Sequence, residues 1–386
     1  MFAPTTSSFP SMPKARAMHI AFVIPSLHGG GAEFVVRQWI TALSAEGHRT
    51  TIYAYAREQP HVDLPRGAAV HSLPSRGGPL RLALMPFWLR VRTKRDAPDV
   101  VLSLLPFSNV IALLALRIWT RRSVPLMVSE RNVPTIQVAN TKRRDRLTAW
   151  LARRLYSRAS GALAISHPVA ANLVSAFGVR ADDIYVVPNP VVPSAVGGGP
   201  PPVSTPARLH LALVGRHVRQ KRPHLFLQVL QELEQRGVAV RGTVIGDGPL
   251  REATERECAQ LGLTVSFLGW REPWWEAASD IDCLVLTANA EGFANVLVEA
   301  AAAQIPSVAS SRALGVADAI VPGVTGVFAM GDSPAAYADA VLSAASIAVT
   351  PTVRIADWLN HFSTENSTAT LLTALRSVIE GNQATH

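Results

Sequence analysis

Apolar residues in this chain come in short unbroken runs, and the runs alternate with stretches of helical period. HIAFVIPS (19–26) and LHLALVGR (209–216) are the clearest. A run without polar alternation suits a parallel strand buried on both faces. Strands alternating with helices predict a doubly wound parallel α/β sheet. In the second half the pattern places strands at 241–248, 265–269, 283–288 and 307–311, and a short strand or turn at 323–329. Helices are predicted at 224–236, with Gly237 as C-cap, then to about Leu261, briefly near 273–278, and at 334–346. In the first half, strands are predicted at 19–25, 50–55, 69–72, 100–105, 125–129, 162–165 and 184–187.

The apolar stretch 100–119 approaches the length of a bilayer span, but Pro106, Ser108 and Asn109 interrupt it. It reads as a buried strand, a turn, and a helix from about Val110. The Pro/Gly-rich stretch 193–206 reads as a linker between two Rossmann-like domains. The expected division is a loose tail at 1–17, a first domain at 18–192, and a second at 207–363. The amphipathic 364–386 segment is placed as a helix that packs back on the first domain.

A hydrophobic content of 48% with 17% charged residues excludes a disordered chain. Two cysteines, Cys258 and Cys283, exclude a disulfide framework. The net charge of +9 is unevenly spread. Residues 1–200 hold 24 Lys and Arg against 10 Asp and Glu, and the remainder is mildly acidic. The basic clusters are Arg117/Arg121/Arg122, KRRDR (142–146) and Arg153/Arg154/Arg158. They suit an anionic membrane, nucleic acid, or simple solvation.

In such sheets ligands bind at the carboxyl ends of the strands. Four loops fall there. HGGGAE (28–33) removes side chains at Gly29, Gly30 and Gly31, so a ligand can approach backbone N–H groups. GRHVRQK (215–221) carries Arg216 and Lys221 within reach of one anion; an exposed basic loop is the plain alternative. GDGP (246–249) borders the ligand or merely connects two elements.

EGFANVLVEA (291–300) reads as a loop entering a helix at about 294–304. Glu299 shares a stripe with Val296, Ala300 and Ala303, where a carboxylate is costly unless something binds it. Glu291 lies near the helix N-terminus, which can accept phosphate. A chance pair of helix carboxylates is the plain reading; acceptors for ligand hydroxyls is the sharper one. DID (280–282) offers paired aspartates for a divalent cation, but at the wrong edge of the sheet. No zinc-like histidine spacing and no nucleophile elbow is evident.

HGGGAE, PNP (188–190), VGRHVRQK, VIGDGP, FLGW and EGFANVLVEA together resemble a family 4 retaining glycosyltransferase of GT-B architecture, over most of 18–380. The resemblance implies a nucleotide-sugar donor, an acceptor held by the first domain, and no bound metal or other cofactor. It implies that Arg216 and Lys221 hold the diphosphate, that Glu299 accepts from ribose hydroxyls, and that Glu291 contacts the transferred sugar. Catalysis would rest on Arg216, Lys221 and Glu291. Gly215, Gly246, Gly292, Phe293, Ala294, Asn295 and Val296 would complete the donor site; Ala294 stands where many relatives carry proline. SERNVP (129–134) makes Glu130, Arg131 and Asn132 acceptor-side candidates, a Glu130–Arg131 ion pair being the alternative. The expected activity is transfer from a UDP-hexose or UDP-N-acetylhexosamine to a lipid-linked or lipopolysaccharide acceptor at the cytoplasmic face of a membrane. GDP-mannose is the alternative donor. A basic nucleic-acid- or membrane-binding protein and a non-transferring sugar-nucleotide binder are alternatives of other classes; no nucleic-acid motif supports the first.

Overall fold

The computed structural model describes residues 16–28, 30–56, 63–73, 83–118, 124–133, 143–191, 208–277, 280–347, 349 and 353–384. Gly29, Lys142 and the linker at 193–206 lie outside the described residues.

The first domain has strands β1 (His19–Ile24), β2 (Arg49–Ala54), β3 (Ala68–Ser72), β4 (Val100–Leu104), β5 (Leu126–Glu130), β6 (Gly161–Ala164) and β7 (Ile184–Val186). They form one sheet in the order β3-β2-β1-β4-β5-β6-β7, and each neighbouring pair is parallel. The second domain has β8 (Leu209–Val214), β9 (Val240–Ile245), β10 (Val265–Gly269), β11 (Cys283–Leu286), β12 (Ser307–Ser310) and β13 (Gly326–Ala329). Their order is β10-β9-β8-β11-β12-β13, again parallel. In both sheets the chain reverses its direction of winding beside the first strand, between β1 and β4 and between β8 and β11. A crevice opens at the carboxyl ends there.

Helices of the first domain are α1 (Gly31–Ala45), α2 (Met85–Asp96), α3 (Pro106–Arg117), α4 (Arg143–Leu155) and α5 (His167–Phe177). The second has α6 (Pro223–Gln235), α7 (Arg251–Leu261), α8 (Asn295–Ala302) and α9 (Pro334–Ala344), followed by α10 (Val353–Asn360) and α11 (Thr364–Ala384). The central strands are buried along their whole length, for example Val100–Leu104 and Cys283–Leu286, which is why they read as unbroken apolar runs.

Helix α3 begins at Pro106 rather than near Val110. Proline is tolerated in a first helical turn, where its missing N–H has no partner to lose. The interruption in the apolar stretch is therefore a helix start. Ser108 and Asn109 are buried inside that helix, and Asn109 Nδ2 donates to the Ser129 carbonyl at 2.9 Å. Among the described residues no helix is long and apolar enough to cross a membrane.

Helix α11 leaves the second domain and packs on α1 and β5 of the first. Trp39 Nε1 on α1 donates to Ser367 Oγ at 2.9 Å, and Ser367 Oγ donates to the Pro188 carbonyl at 2.6 Å.

Candidate functional site

The loop after β8 and the loop after β11 are fastened to each other. Gln220 Nε2 donates to the Ala290 carbonyl at 2.6 Å, and Asn289 N donates to the Gln220 carbonyl at 3.0 Å. Thr287 Oγ1 donates to the Lys221 carbonyl at 2.7 Å. Arg222, in the left-handed region at φ 47°, donates through Nε to the Thr287 carbonyl at 2.6 Å and pairs with Asp332 at 2.8 Å. The strained backbone at Arg222 is thus held by contacts on both sides.

These fastenings bring Lys221 and Glu291 together. Lys221 Nζ lies 2.6 Å from Glu291 Oε1, with both side chains largely buried. Arg216 is exposed, and its guanidinium has no partner among the described residues. The glycines beside them are steric requirements. Gly215 (φ 145°) and Gly246 (φ 131°) adopt backbone that L-residues avoid. A Cβ on Gly246 would overlap the Gly215 carbonyl, and one on Gly248 would lie 2.7 Å from the His217 carbonyl oxygen. The turn at 246–248 is therefore clasped to the 215–217 loop, with His217 N donating to the Asp247 carbonyl at 2.8 Å.

No side chain caps the N-terminus of α8. In its first turn Leu297 N donates to the Ala294 carbonyl at 3.0 Å, and the helix dipole favours an anion ahead of it. Phe293 and Ala294 are buried just ahead of it, Phe293 packing on Phe362 with ring centroids 5.4 Å apart. Val296 is half-buried. Glu299 lies on α8, and its Oε2 accepts from Trp274 Nε1 at 2.8 Å. Burial pushes the Glu299 carboxyl up to about 7, against the indole hydrogen bond that lowers it.

The first domain meets this site directly. A Cβ on Gly292 would overlap the Arg131 carbonyl and sit 2.5 Å from Asn132 Cα. Ser166 Oγ donates to the Gly292 carbonyl at 2.6 Å. Arg131 Nη1 donates to Asn189 Oδ1 at 2.7 Å, and Asn189 Nδ2 donates to Asn295 Oδ1 at 2.8 Å. Arg131 also stacks on Trp39 at 4.9 Å, its Nε and Nη2 have no partner, and burial lowers its guanidinium to about 9. His167 contacts Asp318 across the same junction at 2.9 Å.

Glu130 is placed differently from its neighbours. Its carboxyl is buried in the first domain, accepting from Tyr156 OH and from Asn109 Nδ2. Burial pushes it up to about 7. It does not face the crevice in this state, and the structure records no Glu130–Arg131 ion pair. Gly30 and Gly31 stand at the start of α1 beside the crevice, with no side-chain cap. The carboxylates of DID serve the opposite edge. Asp280 pairs with Arg241 and with His210 Nδ1, and Asp282 accepts from His210 N at 2.8 Å. Among the described residues no group of three His, Cys, Asp or Glu could hold a metal ion.

Sequence reasoning singled out neither Asn189 nor Trp274. The PNP motif flagged the position of Asn189 without its role. A tryptophan pair beside a proline after β10 was the only signal for Trp274.

Residues 29–195 match the family model described as Glycosyltransferase Family 4, and residues 208–346 the model described as Glycosyl transferases group 1. The lipopolysaccharide core biosynthesis glycosyltransferase LpsE of Rhizobium meliloti (strain 1021) is 24% identical over 74% of this chain and 77% of its own. The solved apo form of the lipopolysaccharide outer core galactosyltransferase WaaB is 23% identical with a TM-score of 0.72, over 93% of this chain and 99% of that one. Anabaena Alr3699/HepE, solved with UDP and glucose, is 20% identical with a TM-score of 0.72, over 93% and 100%.

Proposed function

The chain belongs to the glycosyltransferases of family 4 and group 1, with their GT-B fold, and from that premise we propose that it transfers a sugar from a UDP-sugar to a lipopolysaccharide or lipid-linked acceptor. The observation that carries this reading is the meeting of two loops at the switch point of the second sheet. They set the Lys221–Glu291 pair just ahead of α8, whose start has no side-chain cap, and Arg216 is exposed on the same loop as Lys221, its guanidinium without a partner among the described residues. A diphosphate satisfies all three: a fork, a point charge and a row of N–H groups. Glu291 and Glu299 are then acceptors for sugar and ribose hydroxyls. UDP as the nucleotide follows HepE, whose structure holds UDP; the acceptor class follows LpsE and WaaB.

In this proposal the anomeric configuration is retained through a front-face reaction. Arg216, Lys221 and the helix dipole stabilise the charge that develops on the leaving diphosphate. The leaving phosphate takes the proton of the acceptor hydroxyl, so the protein supplies no nucleophile and no metal. Arg131 and Asn132 stand on the acceptor side of Gly292.

The acceptor is met at an anionic leaflet, on the inner face of the cytoplasmic membrane. Two helices flanking α3 support this part. Leu84 at the N-cap of α2, Phe87 and Val91 along it, and Leu147 and Trp150 along α4 are exposed. Lys94, Arg95, Arg144, Arg146, Arg153 and Arg154 are exposed among them. Apolar anchors between cations are what binds a peripheral protein to acidic lipid.

The test is calorimetry with UDP and with GDP, followed by transfer of radiolabelled donor, all in EDTA. Saturable UDP binding that Glu299→Ala abolishes, with transfer surviving EDTA, is the expected result. GDP preference changes the sugar to a mannose-like one. Binding without transfer or donor hydrolysis returns the chain to a sugar-nucleotide binder.

A further inference from the structure

We propose that Trp274 is a positioning residue for the donor nucleoside: its indole N–H pins one oxygen of Glu299 and aims the other at the ribose hydroxyls. The inference rests on the reading of Glu299 given above. Trp274 stands in a single 3-10 turn (Trp274–Glu276) in the loop that follows β10, at the ligand end of the sheet. It is 4% exposed and packs edge-on against Trp275, with ring centroids 5.8 Å apart at 83°. Its place is therefore fixed by packing, and its N–H points at Glu299 Oε2. Glu299 Oε1 has no partner among the described residues.

The choice of donor matters. One cationic side chain, Lys221, faces this carboxylate, and it is engaged with Glu291 instead. A cation on Glu299 would cancel its charge and compete with ligand hydroxyls. A neutral indole holds the carboxylate still and leaves it a charged acceptor. The charged groups that face Glu299 are Glu272, on the same loop as Trp274, and Lys221, on the loop after β8. The first disfavours ionisation and the second favours it, so the indole hydrogen bond acts where ionisation is closely balanced.

Mutual satisfaction of two buried groups would give the same distance without any role in binding, and the pH dependence of nucleotide binding separates the two. The carboxyl already sits high, near 7. Removing a hydrogen bond to its charged form raises it further, by about one pH unit. The experiment titrates UDP into wild type, Trp274→Phe, Trp275→Phe and Glu299→Gln by calorimetry from pH 6 to 9. The phosphate of UDP titrates identically against every variant, so only differences between variants count. In Trp274→Phe the acid limb of binding is expected to move up by about one unit. Affinity then falls roughly fivefold at pH 7 and recovers towards wild type above pH 8.5. Trp275→Phe leaves the limb in place. A Trp274→Phe profile that superimposes on wild type, while Glu299→Gln has lost binding, overturns the role of Trp274 and leaves Glu299 as the ribose acceptor. Wild-type binding by Glu299→Gln overturns both.

A second measurement needs no folded variant at position 274. In the wild-type protein the indole N–H resonance of Trp274 should titrate near pH 7 and shift on saturation with UDP. Glu299→Gln should abolish the titration. A resonance insensitive to both pH and UDP overturns the proposal.

Discussion

Replacing Lys221 with alanine leaves Glu291 charged, 8% exposed and without its partner. At 2.6 Å and an effective dielectric near 20, the gross attraction of the pair is about 6 kcal/mol. Most of that is offset by the cost of desolvating two charges. Breaking a fully buried pair costs about 3–5 kcal/mol because one charge is stranded. The Lys221 side chain is 20% exposed, so water can enter the space it vacates. We therefore expect Lys221→Ala to lose about 2 kcal/mol, less than a fully buried pair would. For a domain of this size that is a fall of roughly 4–8 °C in melting temperature. Lys221→Met with Glu291→Gln removes both charges, and is expected to lie within about 1 kcal/mol of wild type. The assay is thermal unfolding by circular dichroism without nucleotide, alongside transfer activity, for Lys221→Ala, Lys221→Met, Glu291→Gln and the double Lys221→Met with Glu291→Gln. Stability should partly return in the double while activity stays lost. If Lys221→Ala melts with wild type, or if the losses in the double simply add, the pair is not the coupled unit described here.

Gly292→Ala places a Cβ against the Arg131 carbonyl and Asn132 Cα, backbone that cannot yield without parting the two domains at the crevice; transfer of radiolabelled donor should fall at least tenfold, and wild-type transfer would show that the two domains need not meet there. Trp150→Ser with Leu147→Ser should weaken binding to vesicles containing acidic lipid without altering UDP affinity; sedimentation with such vesicles checks this, and unchanged binding removes the membrane part of the proposal. Glu130 sits near 7 in the fold, above its ordinary value of 4.5. The native state therefore binds more protons, and the carboxyl costs stability progressively as pH rises from about 4.5 to 7. Glu130→Gln should melt with wild type near pH 4.5 and about 1–3 kcal/mol above it at pH 8; a pH-independent difference would sink that reasoning.

The strands were legible because burial on both faces writes itself as consecutive apolar residues, as at 100–104 and 209–214. Helices α2 and α4 were not, because their exposed faces mix cations with Phe87, Val91, Leu147 and Trp150, which blurs the apolar stripe. Glycine loops and paired cations could be placed on the ligand side because local spacing fixes them. The orientation of Glu130 could not. Its partners Asn109 and Tyr156 stand 21 and 26 positions away, on different elements. Trp274 and Glu299 are likewise 25 positions apart, and only packing reveals that one holds the other.

Helix α11 has a consequence for the order in which the molecule is built. The first domain lays down β1 and α1 early, yet the groove on α1 that receives Ser367 stays open until the whole second domain has been synthesised. Trp39 and Ser367 are 328 positions apart. A nascent first domain therefore waits with an uncovered tryptophan face, prone to stick to other chains while translation continues. The closing segment also ties the chain between the domains a second time, after the linker. Splitting the gene at that linker would yield one half lacking its final helix and another trailing an unpartnered amphipathic one. The two halves are structurally alike, but they are finished in a single late event.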